Sequence, residues 1–596
     1  MAERFRSRWV FGLALVAFTL VAYLPAHAAG FIWDDDWYVT KNELLHDVAG
    51  LVRIWVPGHT VQYYPVVFTS FWIEHHLWGL EPAGYHVVNV LLHALNALLV
   101  WRLARGLGIP GAWWIGAAFA LHPVHVESVA WITERKNVLS GAFYLSAALA
   151  YLRFEELRGC PSPPARRGAW YAAAFGLFLL ALLSKTVTCS LPAALVLMRL
   201  WQQRSVALRA LAPMFVVGLV LALHTAHLER TRVGAQGAEF ALSFVERTWI
   251  AGKALLFYPS KLLVPWPLVF IYPRWDPGAA TPSAQWSTAV VLFVAAVACL
   301  AYARGVRGPG LALAFFAGSL LPALGFFDVY PMRYSFVADH FQYLASLGIL
   351  ALVIGPIAAR FHASRAGVIV GAAMIVCLGA LTWRQAGVFS DPETLWRETI
   401  RLNPAAWMAH NNLALVLTES GRNAEALESL RAAQAAATGE KASRQIRRNL
   451  AITLGKLGRD QEALEAYLEL QHAAGGMELE LARTLERLGR DEEAEAYFRA
   501  ALAGEGDPAS LVPFGVHLMR RGRPEEALVW LERSVALHPD DADALMFLAD
   551  AYAGAGRLAD AIASGERALL CARARGDERM AELVRRRVEQ YRSSGG

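Results

Sequence analysis

The amino-acid sequence predicts an all-α protein in two parts, a polytopic transmembrane helical bundle over residues 1–385 and an α-solenoid over residues 390–596. Three observations lead there. Apolar runs of membrane-crossing length recur between residues 9 and 383, the composition turns near residue 390 to Ala, Glu, Leu and Arg with few aromatics, and Gly-Arg pairs then recur at a nearly constant step. A length of 596 residues exceeds what one core organises. A hydrophobic share of 56% with a mean hydropathy of +0.33 lies above the soluble norm.

In chain order, apolar runs near 9–25, 85–104, 111–131, 138–154, 169–184, 187–201, 210–227, 288–304, 310–327, 340–358 and 366–383 give eleven expected spans, a crossing helix needing about 20 such residues. The first run follows Arg4, Arg6 and Arg8. A signal peptide cleaved at Ala26-His27-Ala28 is one reading of it, and the polytopic context favours an uncleaved span. Basic connections (Arg102/Arg105, Arg153 to Arg167, Arg199 to Arg209, Arg304/Arg307, Arg360/Arg365) fall after alternate spans, which puts them and the N-terminus on the cytoplasmic side of an inner (plasma) membrane. The loops 26–84, 228–287 and 328–339 then face outward. Trp249 to Tyr272 is also apolar, but Pro259, Pro265, Pro267 and Pro273 interrupt it, so it reads as a re-entrant or interfacial hairpin on the outer side. By parity the C-terminal tail faces outward too, into the periplasm or its equivalent. Much of the net charge of +5 lies in the span-orienting connections, so nucleic acid is not an expected partner. Cys160, Cys189, Cys299, Cys377 and Cys571 are scattered without a CxxC, which suggests neither a disulfide framework nor a zinc site.

In the tail, Gly-Arg pairs begin at Gly421, Gly458, Gly489, Gly522 and Gly556, in steps of 37, 31, 33 and 34 residues. That is the tetratricopeptide period. Each is followed at matching offset by an acid and an alanine (Glu425-Ala426, Glu462-Ala463, Glu493-Ala494, Glu526-Ala527, Asp560-Ala561), the small residue letting paired helices pack closely. Asn403-Pro404 and His538-Pro539 stand where second helices should stop. Such an array offers a concave groove suited to a protein or peptide; it also suits a passive spacer or dimerisation arm.

The first outward loop opens with Trp33-Asp34-Asp35-Asp36-Trp37, three adjacent carboxylates directly after a span. Ionising them together beside hydrocarbon is costly. Such a cluster binds a cation, takes a proton, or sits solvated among headgroups. Aspartate is a competent base within reach of an acceptor hydroxyl, and adjacent carboxylates can instead ligate Mg²⁺ or Mn²⁺ through oxygen.

Further signatures accompany it: Tyr63-Tyr64-Pro65-Val66, Tyr85-His86-Val87-Val88-Asn89, the run His122-Pro123-Val124-His125-Val126-Glu127-Ser128-Val129-Ala130-Trp131, Arg135-Lys136-Asn137-Val138-Leu139 and Asp391-Pro392-Glu393-Thr394-Leu395-Trp396. Together with polytopic spans, a long outer loop and the repeat tail, they resemble the TMTC-type proteins, C-type (GT-C) membrane glycosyltransferases related to protein O-mannosyltransferases. The resemblance covers nearly the whole chain. It implies transfer of a sugar from a polyprenyl-phosphate carrier to a protein or glycan hydroxyl on the outer face, with the repeats handling the acceptor. In the related mannosyltransferases an Asp-Glu pair follows the first span; here the pair reads Asp34-Asp35, which implies Asp34 as the base and Asp35 as a residue that orients it or shares its role. Asp36 has no implied part, and a divalent cation on Asp34, Asp35 and Asp36 is left open.

The resemblance also favours His122, His125 and Glu127 as hydrogen-bonding groups for donor phosphate or sugar. From the residues alone, the same trio reads as a polar knot between helices or a zinc site, although its spacing matches no closed zinc set. Arg135 and Lys136 face outward against the positive-inside trend, which calls for an anionic partner such as a lipid phosphate. Lys185 is another outer cation, able to serve the same phosphate or to snorkel to membrane lipid headgroups. Relatives show an Ala-Asp/Glu-Arg-Tyr-like motif where this chain reads Ala338-Asp339-His340, so His340 replaces a permanent cation that Arg333 could supply instead. Two other classes are weighed: a non-enzymatic membrane-anchored scaffold for an envelope complex, against which the acidic cluster and outer cations speak, and a lipid-intermediate transporter, whose inverted halves are not evident.

Overall fold

The computed structural model describes residues 2–60, 62–161, 163–276, 282–361, 364–437, 439–503 and 507–594, without the side chains of residues 2–8, 238, 282, 284 and 474. Arg4, Arg6 and Arg8, the basic flank of the first run, thus lie outside the described side chains. Among the described residues every regular element is helical. The chain divides into two compact units, Met1–Val416 and Leu417–Gly596. This division falls later than the change in composition near 390. The Pro392–Leu402 helix packs within the first unit, where Trp396 meets Trp33 and Phe270 edge-on, and the following Asn403 donates to the Ile271 carbonyl at 3.0 Å.

In the first unit, helices cover the apolar runs, but not every run is one unbroken helix. Pro82–Gly106, Leu208–Val233, Gln285–Ala303 and Arg365–Gly387 are long and apolar enough to cross a membrane; Trp9–Ala22, Ala112–Leu121, Thr186–Trp201 and Ser346–Phe361 are apolar but shorter. The run 111–131 shows why. Pro123 forces His122 into an extended conformation (ψ 123°) and ends Ala112–Leu121. The chain continues as a 3₁₀ turn, Pro123–His125, and a single helical turn, Val126–Ala130. The stretch read as a hairpin is one helix, Phe244–Leu263, opened by a capping box on Ser243 and Glu246 and followed by an irregular return arm. Lys261 Nζ bonds the Pro267 carbonyl at 2.7 Å and fixes that turn.

Long helices leave one apolar face uncovered, as Leu219, Val220 and Leu223 on Leu208–Leu228 and Leu292 and Phe293 on Pro282–Ala303 illustrate. A helix bare and apolar on its outer face is suited to hydrocarbon. Inside, glycine permits close approach. A Cβ on Gly348 would lie 2.5 Å from the Ala312 carbonyl oxygen and 3.1 Å from Phe316. Gly348→Ala is therefore expected to destabilise the bundle by about 1–3 kcal/mol, read as a lowered thermal midpoint in detergent; an unchanged midpoint would mean that these helices separate freely.

The second unit is a run of antiparallel helix pairs, such as Glu478–Arg487 with Asp491–Ala501 and Leu511–Arg520 with Pro524–Leu537. The residue pattern accounts for each turn. Gly421, Gly458, Gly489, Gly522 and Gly556 all lie at φ between 71° and 78°, the left-handed cap that ends a helix with least strain on glycine. The following arginine grips the acid three residues on, with contacts of 2.5–2.8 Å at Arg422–Glu425, Arg459–Glu462, Arg490–Glu493, Arg523–Glu526 and Arg557–Asp560. The paired alanines Ala426, Ala463, Ala494, Ala527 and Ala561 are all 0% exposed. This is a tetratricopeptide solenoid.

Candidate active site

The loop that carries Asp34, Asp35 and Asp36 is held by its middle carboxylate. Asp35 is 0% exposed; its Oδ2 accepts the Ile32 N–H at 2.9 Å, and its Oδ1 accepts the Thr133 N–H at 2.8 Å and hydroxyl at 2.6 Å. Burial pushes this carboxyl up to about 7 against the pull of those donors. Asp36 turns elsewhere, accepting from the Thr40 hydroxyl at 2.8 Å and pairing with Lys41 at 2.6 Å. Asp34 differs from both. Its carboxylate is partly exposed and, among the described residues, accepts no hydrogen bond. Burial raises it to about 6; the nearby Lys136 ammonium draws it down and the Glu134 carboxylate pushes it up. Three consecutive aspartates thus have three separate environments, and the described residues include no group of three or more His, Cys, Asp or Glu side chains placed to hold a metal ion. The three-carboxylate cation site left open by the sequence is not assembled.

Trp33 fixes where Asp34 points. It lies at φ 43°, in a region bulky side chains avoid, and its ring is clamped by stacking on Trp131 at 5.4 Å and by edge contacts with Phe270, Tyr334 and Trp396.

Beside Asp34 lies a charge triad. Lys136 Nζ meets Glu134 Oε1 at 2.9 Å and Lys185 Nζ meets Oε2 at 3.0 Å, while Asn137 donates to Oε2 at 2.7 Å. Against the cost of burial, the two ammonium groups hold Glu134 well below the usual carboxylate range. Burial lowers Lys185 against the pull of Glu134. Lys136 also sits 5.1 Å over the Tyr38 ring. Tyr38 donates to Gln62 at 2.7 Å, and Gln62 donates to the buried Glu229 at 2.6 Å, so a polar wall continues away from the lysines.

The other expected donor-binding residues divide sharply. His340 joins Glu127, its Nδ1 lying 2.8 Å from Oε1 and its backbone N–H donating to Oε2 at 3.1 Å; its carbonyl accepts from Asn137, which links this pair to the triad. Arg135 does not join. Its guanidinium is fully buried in a bidentate pair with Glu74, with Asn89 Oδ1, the Tyr85 carbonyl and the Ser70 hydroxyl on its three remaining donors, and nothing is left for a phosphate. His122 and His125 likewise turn away: His122 Nε2 bonds the Leu262 carbonyl at 2.9 Å, and His125 bonds the Phe119 carbonyl at 2.8 Å and the Ser346 hydroxyl at 3.1 Å. They form the polar knot: His125 satisfies the Phe119 carbonyl, freed where Pro123 breaks the helix, and His122 satisfies the Leu262 carbonyl in the last turn of Phe244–Leu263. Arg333 is already paired with Glu239 at 3.2 Å. Glu134 and Glu74 were not singled out from the sequence, although Glu134 stands directly before Arg135-Lys136, and Glu74 is the one acid in the Pro65–Trp78 helix.

Comparison with known proteins finds repeat families and similar chains. Tetratricopeptide repeat models match residues 384–441, 513–578 and 479–511. A Caenorhabditis elegans protein O-mannosyl-transferase is 23% identical over 462 residues, 71% of this chain and 62% of the relative. The Mus musculus protein O-mannosyl-transferase TMTC2 is 33% identical over 168 residues, 26% of this chain and 20% of the relative. The Drosophila melanogaster protein O-mannosyl-transferase Tmtc1 is 36% identical over 155 residues, 24% and 18% of the two chains. The chain thus spans under two thirds of the worm relative and about a fifth of the mouse and fly ones. It is TMTC-like and carries tetratricopeptide repeats, as its motifs imply.

Proposed function

We propose that the chain is a membrane glycosyltransferase of the GT-C type, moving mannose or another hexose from a polyprenyl-phosphate carrier to a protein or glycan hydroxyl. The reaction takes place on the outer face of an inner (plasma) membrane, with the N-terminus cytoplasmic and the repeat domain outside, recruiting the acceptor. The observation that carries this reading is the Asp34 carboxylate, given no hydrogen bond by the described residues and raised to about 6, beside the Lys136-Glu134-Lys185 triad in a chain similar to protein O-mannosyl-transferases.

In this reaction Asp34 takes the proton of the acceptor hydroxyl as its oxygen attacks the anomeric carbon. The bond from that carbon to the phosphate oxygen breaks, and polyprenyl phosphate leaves with one more negative charge. Lys136 and Lys185 stabilise that charge, and Glu134 holds the two ammonium groups in place. Asp35 positions Asp34 by tying the loop to Thr133.

Full-length protein in detergent, given polyprenyl-phosphate mannose and an acceptor, is expected to release polyprenyl phosphate and to depend on Asp34. Failure to turn over any lipid-linked sugar would overturn the proposal. The base must be ionised, so kcat/KM is expected to rise with pH through about 6 and then level off. Lys136 draws the Asp34 carboxyl down, so Lys136→Met should move that acid limb to higher pH; a limb that stays put would dissociate Asp34 from it.

A further inference from the structure

At the end of the bundle away from Asp34 lies an apolar cavity of about 350 Å³. Its walls include Leu103, Ile115, Trp201, Pro309, Phe315 and Ala351, contributed by five helices. Its placement follows from the helices themselves. Pro82–Gly106 touches the Arg135 guanidinium with Tyr85 and reaches the cavity at Leu103, 18 residues or about 27 Å further on. The cavity follows the Ser346–Phe361 helix from Leu347 to Ala359, about 18 Å at helical rise. One leaflet of a bilayer has about 15 Å of hydrocarbon.

Among the described residues the unpaired charge beside the cavity is of one sign, since Glu155 and Glu156 of the adjoining connection are paired with Arg158, Arg199 and Arg153. Arg307 directly precedes the lining residue Gly308, Arg360 directly follows Ala359, and Arg304 lies in the same short connection as Arg307. The connecting stretches 102–111, 202–207, 304–310 and 359–365 contain no Asp or Glu. Among the described residues no carboxylate pairs with Arg304, Arg307 or Arg360; Arg307 and Arg360 lie over their neighbours Tyr302 and Phe361 instead. Elsewhere in this unit buried arginines are matched, Arg135 by Glu74, Arg199 by Glu155 and Arg333 by Glu239. A groove with little polar surface that ends in unmatched cations fits a molecule with a long apolar body and an anionic head.

We propose that this cavity holds one acyl chain of an anionic phospholipid from the leaflet at that end, its phosphate met by Arg304, Arg307 and Arg360. The site is separate from the reaction at Asp34 and does not depend on the glycosyltransferase reading.

Native mass spectrometry of the full-length protein, titrated with phosphatidylglycerol or with phosphatidylcholine of identical chains, tests the proposal. Phosphatidylglycerol is expected to bind about tenfold or more tightly, the order expected of three arginines against an anionic headgroup. The variant Arg304→Gln/Arg307→Gln/Arg360→Gln alters exposed or half-buried positions and should reduce phosphatidylglycerol to the phosphatidylcholine level, while Ala351→Phe should abolish binding of both by filling the cavity. Equal binding of the two lipids, or phosphatidylglycerol binding unchanged in the arginine variant, overturns the proposal even if Ala351→Phe fails to fold. Displacement of the lipid by glycerophosphate alone, or a polyprenyl lipid as the species retained on purification, overturns it as well.

Discussion

Asp34→Asn is expected to lower sugar transfer by roughly 10²–10⁴-fold while leaving the thermal midpoint in detergent unchanged. Both halves follow from the environment of the side chain. Asparagine keeps the shape, and since the described residues give the Asp34 carboxylate no donor, no internal bond is lost. The adjacent change should behave differently. At Asp35 three donors converge on two buried oxygens, and an amide there must point its own N–H₂ at one of them. Asp35→Asn is therefore expected to cost about 1–3 kcal/mol of stability as well as activity. Transfer assays paired with thermal unfolding separate the two positions. If Asp34→Asn transfers sugar at the parent rate, Asp34 is not the base.

Arg135→Ala should produce the largest loss of stability in the first unit, about 3–5 kcal/mol, because it strands the buried Glu74 carboxylate together with Asn89 and the Tyr85 carbonyl. Arg135→Lys should recover little of this, since an ammonium cannot reproduce a bidentate fork. Pairing Arg135→Met with Glu74→Leu should recover much of it, because the cost lies in an unmatched buried charge. Denaturant or thermal unfolding of the three variants distinguishes this from simple loss of packing. A stability within about 1 kcal/mol of the parent for Arg135→Ala would remove the hub assigned to it.

Residues near one another in sequence were readable, and those joined only by folding were not. The repeat period located the turn glycines, and the acid-alanine offset located the residues with no exposure, because both reflect the geometry of a single helix pair. Pro123 sits visibly inside an apolar run, yet its consequence, that His122 and His125 are taken up by the Leu262, Phe119 and Ser346 oxygens, depends on partners up to 221 residues away. Arg135 looked like a phosphate ligand because its sign opposes the orienting trend; the acid that accounts for it, Glu74, lies 61 residues earlier in a helix read only as apolar. The run Asp34-Asp35-Asp36 suggested shared chemistry, and the loop geometry divides it into a free carboxylate, a buried fastening and a surface pair.

The Lys136-Glu134-Lys185 triad bears on when product can depart. With Asp34 ionised, the charges of Lys136 and Lys185 are balanced by Glu134 and Asp34, so these four groups carry no net charge when a monoanionic donor arrives. Under the proposed reaction the base becomes neutral as the leaving phosphate gains a charge, and the same four groups turn net positive beside a more negative product. Release then waits on loss of the proton from Asp34, so retention of polyprenyl phosphate deepens as the medium becomes more acidic.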